Sequence, residues 1–166
     1  RQDLEHIRQC VVGMRQDQTT PDTRLADDPM KYNPARVNSL LQLMLGGLQP
    51  GRNASILHCR LRYFDPVNKR AGIPDGVAAL IENMTDNSVT LTLVNTDQLS
   101  PKQVVLQGGG YAEHDLLSVQ AGTYNESIMS PHLTVLLEPG TGKKLTLKMK
   151  RYANQPTMAF PWSGQP

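Results

Sequence analysis

Hydrophobic and polar positions change period once along this chain, from about 3.6 residues to 2. Leu4, Ile7, Val11 and Met14 recur at helical spacing and form one apolar stripe, which predicts a helix over residues 1–18. Thr19-Thr20-Pro21-Asp22 breaks that pattern, and a polar loop containing Asp27-Asp28-Pro29 runs to Lys31. A second helix is predicted over 34–46. Asn33 can cap it, and Pro34 suits the first helical position, where its missing N–H costs nothing. Val37, Leu40, Leu41, Met44, Leu45 and Leu48 supply its apolar face, Leu43 widens it, and Gly46-Gly47 ends the helix. A face that broad needs a covering surface, either the sheet or a domain outside this chain.

From Ile56 onward the alternation is that of strands. In 56–64, Leu57, Cys59, Leu61 and Tyr63 fall on one face, with His58, Arg60 and Arg62 on the other. Residues 78–84 and 88–96 read as a pair joined by a turn at Asp86-Asn87. In the second of these, Val89, Leu91, Leu93 and Asn95 alternate with Thr90, Thr92 and Val94. Residues 103–107, 115–120, 133–138 and 144–150 complete the set, and Pro139-Gly140-Thr141-Gly142 reads as the hairpin between the last two. Short, evenly spaced strands without crossover helices predict a mainly β fold. Its expected form is an antiparallel β-sandwich over 56–150 with two N-terminal helices outside it. The chain then divides into a helical linker or docking segment, 1–50, and a sandwich domain, 51–166, with a Pro-rich tail.

Composition narrows the classes. The 17 basic and 15 acidic residues of this 166-residue chain leave a net charge of +2, too small and too evenly spread for a phosphate-binding stripe. The longest mainly apolar stretch, Val37 to Leu48, is too short to span a bilayer. Nucleic-acid and membrane partners are therefore not expected. The chain opens inside a helix, without a leader pattern or a cap. That start suggests a piece of something longer, a fragment or a processed subunit, with a natural terminus after leader cleavage as the alternative. An extracytoplasmic setting is favoured.

Candidate chemistry is sparse. Cys10 and Cys59 are the only cysteines. They read as two buried free thiols, or as one disulfide in an oxidising compartment. His6, His58, His114 and His132 form no metal-type spacing, and no cofactor motif is present. Gly140-Thr141-Gly142-Lys143-Lys144 lies in a turn between strands, so it is not a phosphate loop. Asn53, Asn83 and Asn125 begin glycosylation acceptor triplets, informative only in a secreted eukaryotic protein. The most suggestive stretch is Gly108-Gly109-Gly110-Tyr111, followed by Glu113-His114-Asp115. Three glycines permit close backbone approach or positive φ, and a carboxylate beside an imidazole can set up a general base. Tyr111, Glu113 and His114 are thus the catalytic candidates. The plainer reading places them on a loop at a sheet edge or rim, with Glu113 and His114 pointing into solvent or across an interface. On that reading His114→Ala costs no more than roughly 0.5 kcal/mol.

The run Val89 to Thr96, then Val104 to Gln107, then Leu133 to Met149 with its Glu138-Pro139-Gly140 turn resembles one family in particular. It is similar to the C-terminal β-sandwich of large bacterial glycan-active and α/α-barrel proteins. The resemblance implies a sandwich packed against a catalytic barrel and carries no site residue with it.

Three functions are compatible with these patterns. One is a non-catalytic accessory domain or processed subunit packing on a larger catalytic polypeptide or a missing N-terminal domain, with homo-oligomerisation as a variant. Another is a carbohydrate-binding module using Trp162, Tyr111 and Tyr124, with Tyr152 also available, although Trp162 could instead plug the fold. The third is a hydrolase or lyase centred on Tyr111, Glu113 and His114. A flat aromatic strip would mark the second, and a pocket joining His114 to a distant titratable group would mark the third.

Overall fold

Alternation in Ser88–Asn95 sends Val89, Leu91, Leu93 and Asn95 to one face, and all four are fully buried. That strand is the backbone of a sheet in the computed structural model, which describes residues 2–20, 32–34, 38–47 and 57–163. Among these residues the chain is mainly β, with helices α1 (Gln2–Gln16) and α2 (Asn38–Leu45). The strands are β1 (Leu61–Asp65), β2 (Arg70–Ala71), β3 (Val77–Met84), β4 (Ser88–Asn95) and β5 (Lys102–Gly108). After them come β6 (Asp115–Ala121), β7 (Tyr124–Ser130), β8 (His132–Leu137) and β9 (Gly142–Lys150). They form two antiparallel sheets, ordered β2-β1-β5-β8 and β3-β4-β9-β6-β7.

The chain forms two compact units, Arg1–Leu40 and Leu41–Pro166. In the first, α1 buries Cys10, whose Sγ lies 3.4 Å from His6 Nε2 one turn earlier. In the second, one apolar cluster takes side chains from both sheets. Leu61 and Tyr63 of β1 and Leu106 of β5 meet Leu91 of β4, Leu116 of β6 and Leu147 of β9. Each such side chain contributes about 1.5–3 kcal/mol on burial, so these contacts hold the fold. Met44 and Leu45 of α2 pack against the same cluster, and the Tyr63 hydroxyl donates to the Met44 carbonyl at 2.5 Å. Asn95 links the sheets: its Nδ2 donates to the Leu137 and Glu138 carbonyls at 3.3 and 3.2 Å, and to Ser100 O at 2.8 Å.

Several sequence expectations change here. The strand expected over 56–64 starts only at Leu61, because Arg60 N–H instead donates to Leu45 O and Gly46 O, which cap α2. Gly46 ends that helix at φ +62. Pro34 is not helical; the described part of α2 begins at Asn38. Pro139–Gly142 is not a hairpin. It carries the chain from β8 in one sheet to β9 in the other, where β9 pairs with β4 and β6. Two strands lacked a sequence signal. β2 has only two residues, and β7 is a polar edge strand exposed on both faces, with only Ile128 touching the core. The predicted loop through Asp27-Asp28-Pro29, the helix-face residues Val37 and Leu48, the acceptor Asn53 and the strand start Ile56 lie outside the described residues.

No helix among the described residues is long and apolar enough to cross a membrane.

Candidate functional site

Gly108 is the last residue of β5, and the chain reverses there because a loop closes on it. His114 N–H donates to Gly108 O at 3.1 Å, so residues 109–113 form a tight ring. Gly109 takes φ +83 and Ala112 φ +58 to complete the reversal. The Glu113 carboxylate folds back over this ring. Its Oε2 accepts Tyr111 N–H at 2.7 Å and its Oε1 accepts Gly110 N–H at 3.3 Å. A Cβ on Gly109 would lie 2.3 Å from Glu113 Cδ, and one on Gly110 would lie 2.6 Å from Leu57 O. The three glycines therefore admit the protein's own backbone and carboxylate.

Glu113 and His114 are buried, at 8% and 2% exposure, which overturns the expectation that they face solvent or an interface. Of the two locations expected, a sheet edge or a rim, the edge is corrected, since β5 is an inner strand and the loop leaves its end. His114 Nδ1 accepts Tyr152 N–H at 3.1 Å, and the two rings meet edge to face at 4.9 Å. That acceptor role assigns the proton of the neutral ring to Nε2, which lies 4.0 Å from Glu113 Oε1. Burial holds the His114 pKa below the ordinary imidazole value. The Glu113 charge opposes that shift, and Arg151 and Arg60 add to it.

The C-terminal segment is fastened to this loop. Ala153 and Asn154 donate backbone N–H to Glu113 O, and Thr157 N–H reaches Tyr111 O at 2.8 Å. The Tyr111 hydroxyl accepts Leu57 N–H at 3.3 Å, and Arg62 Nη1 donates to Gly110 O at 3.0 Å. Further along, Phe160 and Trp162 stack with centroids 5.2 Å apart, and each meets the buried Phe64 edge to face. Trp162 is thus engaged in packing the tail against β1. Tyr124 stands exposed on edge strand β7 and donates its hydroxyl to Glu126. No ring contact among the described residues joins Tyr111, Tyr124 and Trp162, so the structure does not bring the three proposed binding aromatics together.

What the structure does assemble is a cavity of about 370 Å³ beside His114, and it joins His114 to distant titratable side chains, the arrangement expected above of a hydrolase or lyase. Gly46, Cys59, Arg60, Met84, Arg151 and Tyr152 share its lining with Glu113 and His114. Sequence reasoning had put Arg60 on the polar face of a strand and gave Arg151 no role. Nothing local in the sequence marks either one, because they come from the two ends of the sheet-forming region. Arg60 Nη2 donates to Thr85 O at 3.3 Å, and Arg151 Nη2 to the Tyr152 hydroxyl at 3.3 Å, while Arg151 Nε is buried without a partner. The cavity offers hydrogen-bond donors and positive charge. Of its bases, both Glu113 oxygens and His114 Nδ1 already accept backbone amides, and the His58 imidazole also lines it. Among the described residues no group of three or more His, Cys, Asp or Glu side chains is placed to hold a metal ion.

Both cysteines are free thiols. Burial pushes the Cys59 thiol up to about 12, Glu113 reinforces the shift, and Arg62 only partly offsets it. Cys59 is therefore expected to resist alkylation at pH 8 in the native chain and to react fully in denaturant. Mass spectrometry after iodoacetamide treatment checks this, and rapid native labelling of Cys59 would contradict it.

Stability should depend on pH in two windows. Burial lowers the pKa of His114 and of His132 in the folded chain. The unfolded chain then binds more protons just below its histidine pKa of about 6.5, so stability falls as pH drops through that value. Asp97 is held down at about 2 by Leu99 N–H, by Lys102 and by Ser100 N–H, so its contribution is lost only as pH falls from about 4 towards 2. Urea midpoints at pH 5 and pH 7.5 test the first window, and equal midpoints would refute it.

Comparison of the chain with family models, with curated proteins and with solved structures finds no match.

Proposed function

We propose that this chain is a non-catalytic accessory or structural domain that packs against a larger, catalytic polypeptide. Its two sheets act as a face-to-face sandwich, a form supported by the apolar cluster they share. The observation that carries the reading is the occupation of the acid–imidazole pair. Within that pair, Glu113 Oε1 and Oε2 and His114 Nδ1, the acceptors a hydrolase or lyase would use as a base, each accept a backbone N–H from the loop or the tail. The Glu113 carboxylate closes the loop, and His114 Nδ1 fastens the C-terminal segment. The stacking of Trp162 on Phe160 against Phe64 supports a packing role for the aromatic tail rather than a sugar platform. Exposed Leu40 and Leu43 on α2, and Leu4 and Met14 on α1, supply apolar surface for a partner. The resemblance to sandwich domains beside bacterial glycan-active barrels gives this partner its proposed form.

The test has two arms. The purified chain should turn over no substrate in a panel of aryl glycosides and polysaccharides. Light scattering and hydrophobic-dye binding should show association or exposed apolar surface. Turnover that His114→Ala abolishes would replace the proposal with the hydrolase or lyase reading. A stable monomer that excludes the dye would remove the docking role.

A further inference from the structure

We infer that the cavity lined by Arg60, Arg151 and His114 is a binding site for a small organic monocarboxylate. This goes beyond the accessory role and does not depend on it, since a non-catalytic domain can hold a ligand. Three independent features converge on an anion. Two guanidiniums, each a planar fork of donors, line one cavity of about 370 Å³, within the size range of small-molecule sites. The Arg151 Nε–H is buried and unpartnered, an arrangement costly to leave unmade. The His114 ring, 2% exposed, is locked by Tyr152 N–H into the tautomer that makes Nε2 a donor, and among the described residues that nitrogen has no hydrogen-bond acceptor.

Charge selects among anions. Arg60 and Arg151 bring two positive charges to the lining and Glu113 brings one negative, so one added carboxylate balances the wall. A dianion would leave a charge uncompensated in a partly desolvated site. Asp86 also acts on Arg60, but less strongly than Arg151 does. Burial and the repulsion from Arg151 both weaken the protonated form of Arg60, a cost that a bound carboxylate relieves. Met84 and the Tyr152 ring add apolar surface to the lining, suited to the body of an organic acid rather than to a bare ion.

The experiment titrates the full chain with benzoate, with D-glucuronate and with sulfate at pH 7.5, against sodium chloride at matched ionic strength. The readouts are the melting temperature and the His114 ring signals in ¹H–¹⁵N NMR spectra. At least one of the two carboxylates should raise the melting temperature saturably and shift the His114 signals. The tighter of the two identifies the body as apolar or hydroxylated. Sulfate should do neither beyond the chloride control. Arg60→Gln and Arg151→Gln should each weaken carboxylate binding at least ten-fold. If Arg151→Gln does not fold, Arg60→Gln carries the test, because that guanidinium makes only the Thr85 O hydrogen bond. Failure of both carboxylates to saturate, equal effects from sulfate, or undiminished binding by Arg60→Gln would overturn the assignment. Turnover assays play no part, so this result is separable from that of the accessory reading.

Discussion

Replacing His114 by alanine should lower the melting temperature by roughly 6–12 °C, corresponding to about 3 kcal/mol in a chain of this size. The imidazole is 2% exposed and meets Tyr152 edge to face, so truncation removes that contact and enlarges the adjoining cavity. It also leaves Tyr152 N–H, which now donates to Nδ1 at 3.1 Å, without an acceptor. Tyr152 is largely exposed, so losing that hydrogen bond contributes about 0.5–1.5 kcal/mol, and the rest comes from the lost packing. His114→Asn separates the two contributions, because the Asn carbonyl oxygen can stand where Nδ1 stood. That variant should recover about 1 kcal/mol of the loss. Differential scanning calorimetry of the three proteins is the measurement. A shift under 2 °C for His114→Ala, about the half-kilocalorie first expected from the sequence, would show that the loop does not depend on this ring.

Gly108→Ala should be at least as damaging, costing about 3 kcal/mol or more. A Cβ there would lie 2.3 Å from the His114 carbonyl oxygen and 3.0 Å from its carbon. The obstacle is backbone, and that backbone is held by its own N–H bond to Gly108 O and by the β6 strand that follows. It cannot retreat without opening the ring that Glu113 closes. Gly122→Ala is the control. Gly122 has a positive φ, +60, which Gly108 lacks, and a Cβ there meets nothing within 4 Å. Its cost should be only the left-handed backbone penalty, about 1–2 kcal/mol. Chemical denaturation of both variants gives the comparison. Equal losses would mean that the close approach at Gly108 costs no more than a left-handed backbone does at Gly122.

The two proteins should also part on anion binding. Gly108→Ala displaces His114 and with it the Nε2 donor, whereas Gly122 lies on the β6–β7 turn, away from the cavity lining.

The alternation of Val89, Leu91, Leu93 and Asn95 was legible because a half-buried strand records its environment in its own residues at a period of two. The glycine end of α2 was legible too, as was the turn at Asp86-Asn87, where Thr85 N–H donates to Ser88 O at 2.9 Å; α1 was legible as a helix, but Leu4 and Met14 of its expected apolar stripe are exposed and Cys10 is buried. Strand β7 was not legible, since an edge strand with both faces in water buries too little to leave an apolar trace. Nor was the path after β8. A Pro-Gly turn reads as a hairpin from its residues, but whether the next strand pairs with the last or crosses to the other sheet depends on β4 and β6 holding places beside β9. Sequence alone therefore determined a mainly β chain with helices first, and picked out the Tyr111–His114 stretch as unusual. Tertiary structure alone decided what that stretch does. Burial of Glu113 and His114, and the joining of Arg60 to Arg151 across one cavity, are set by backbone amides and side chains far apart in sequence. Local patterning reports a residue's face, whereas the partner waiting on that face is fixed only when distant segments meet.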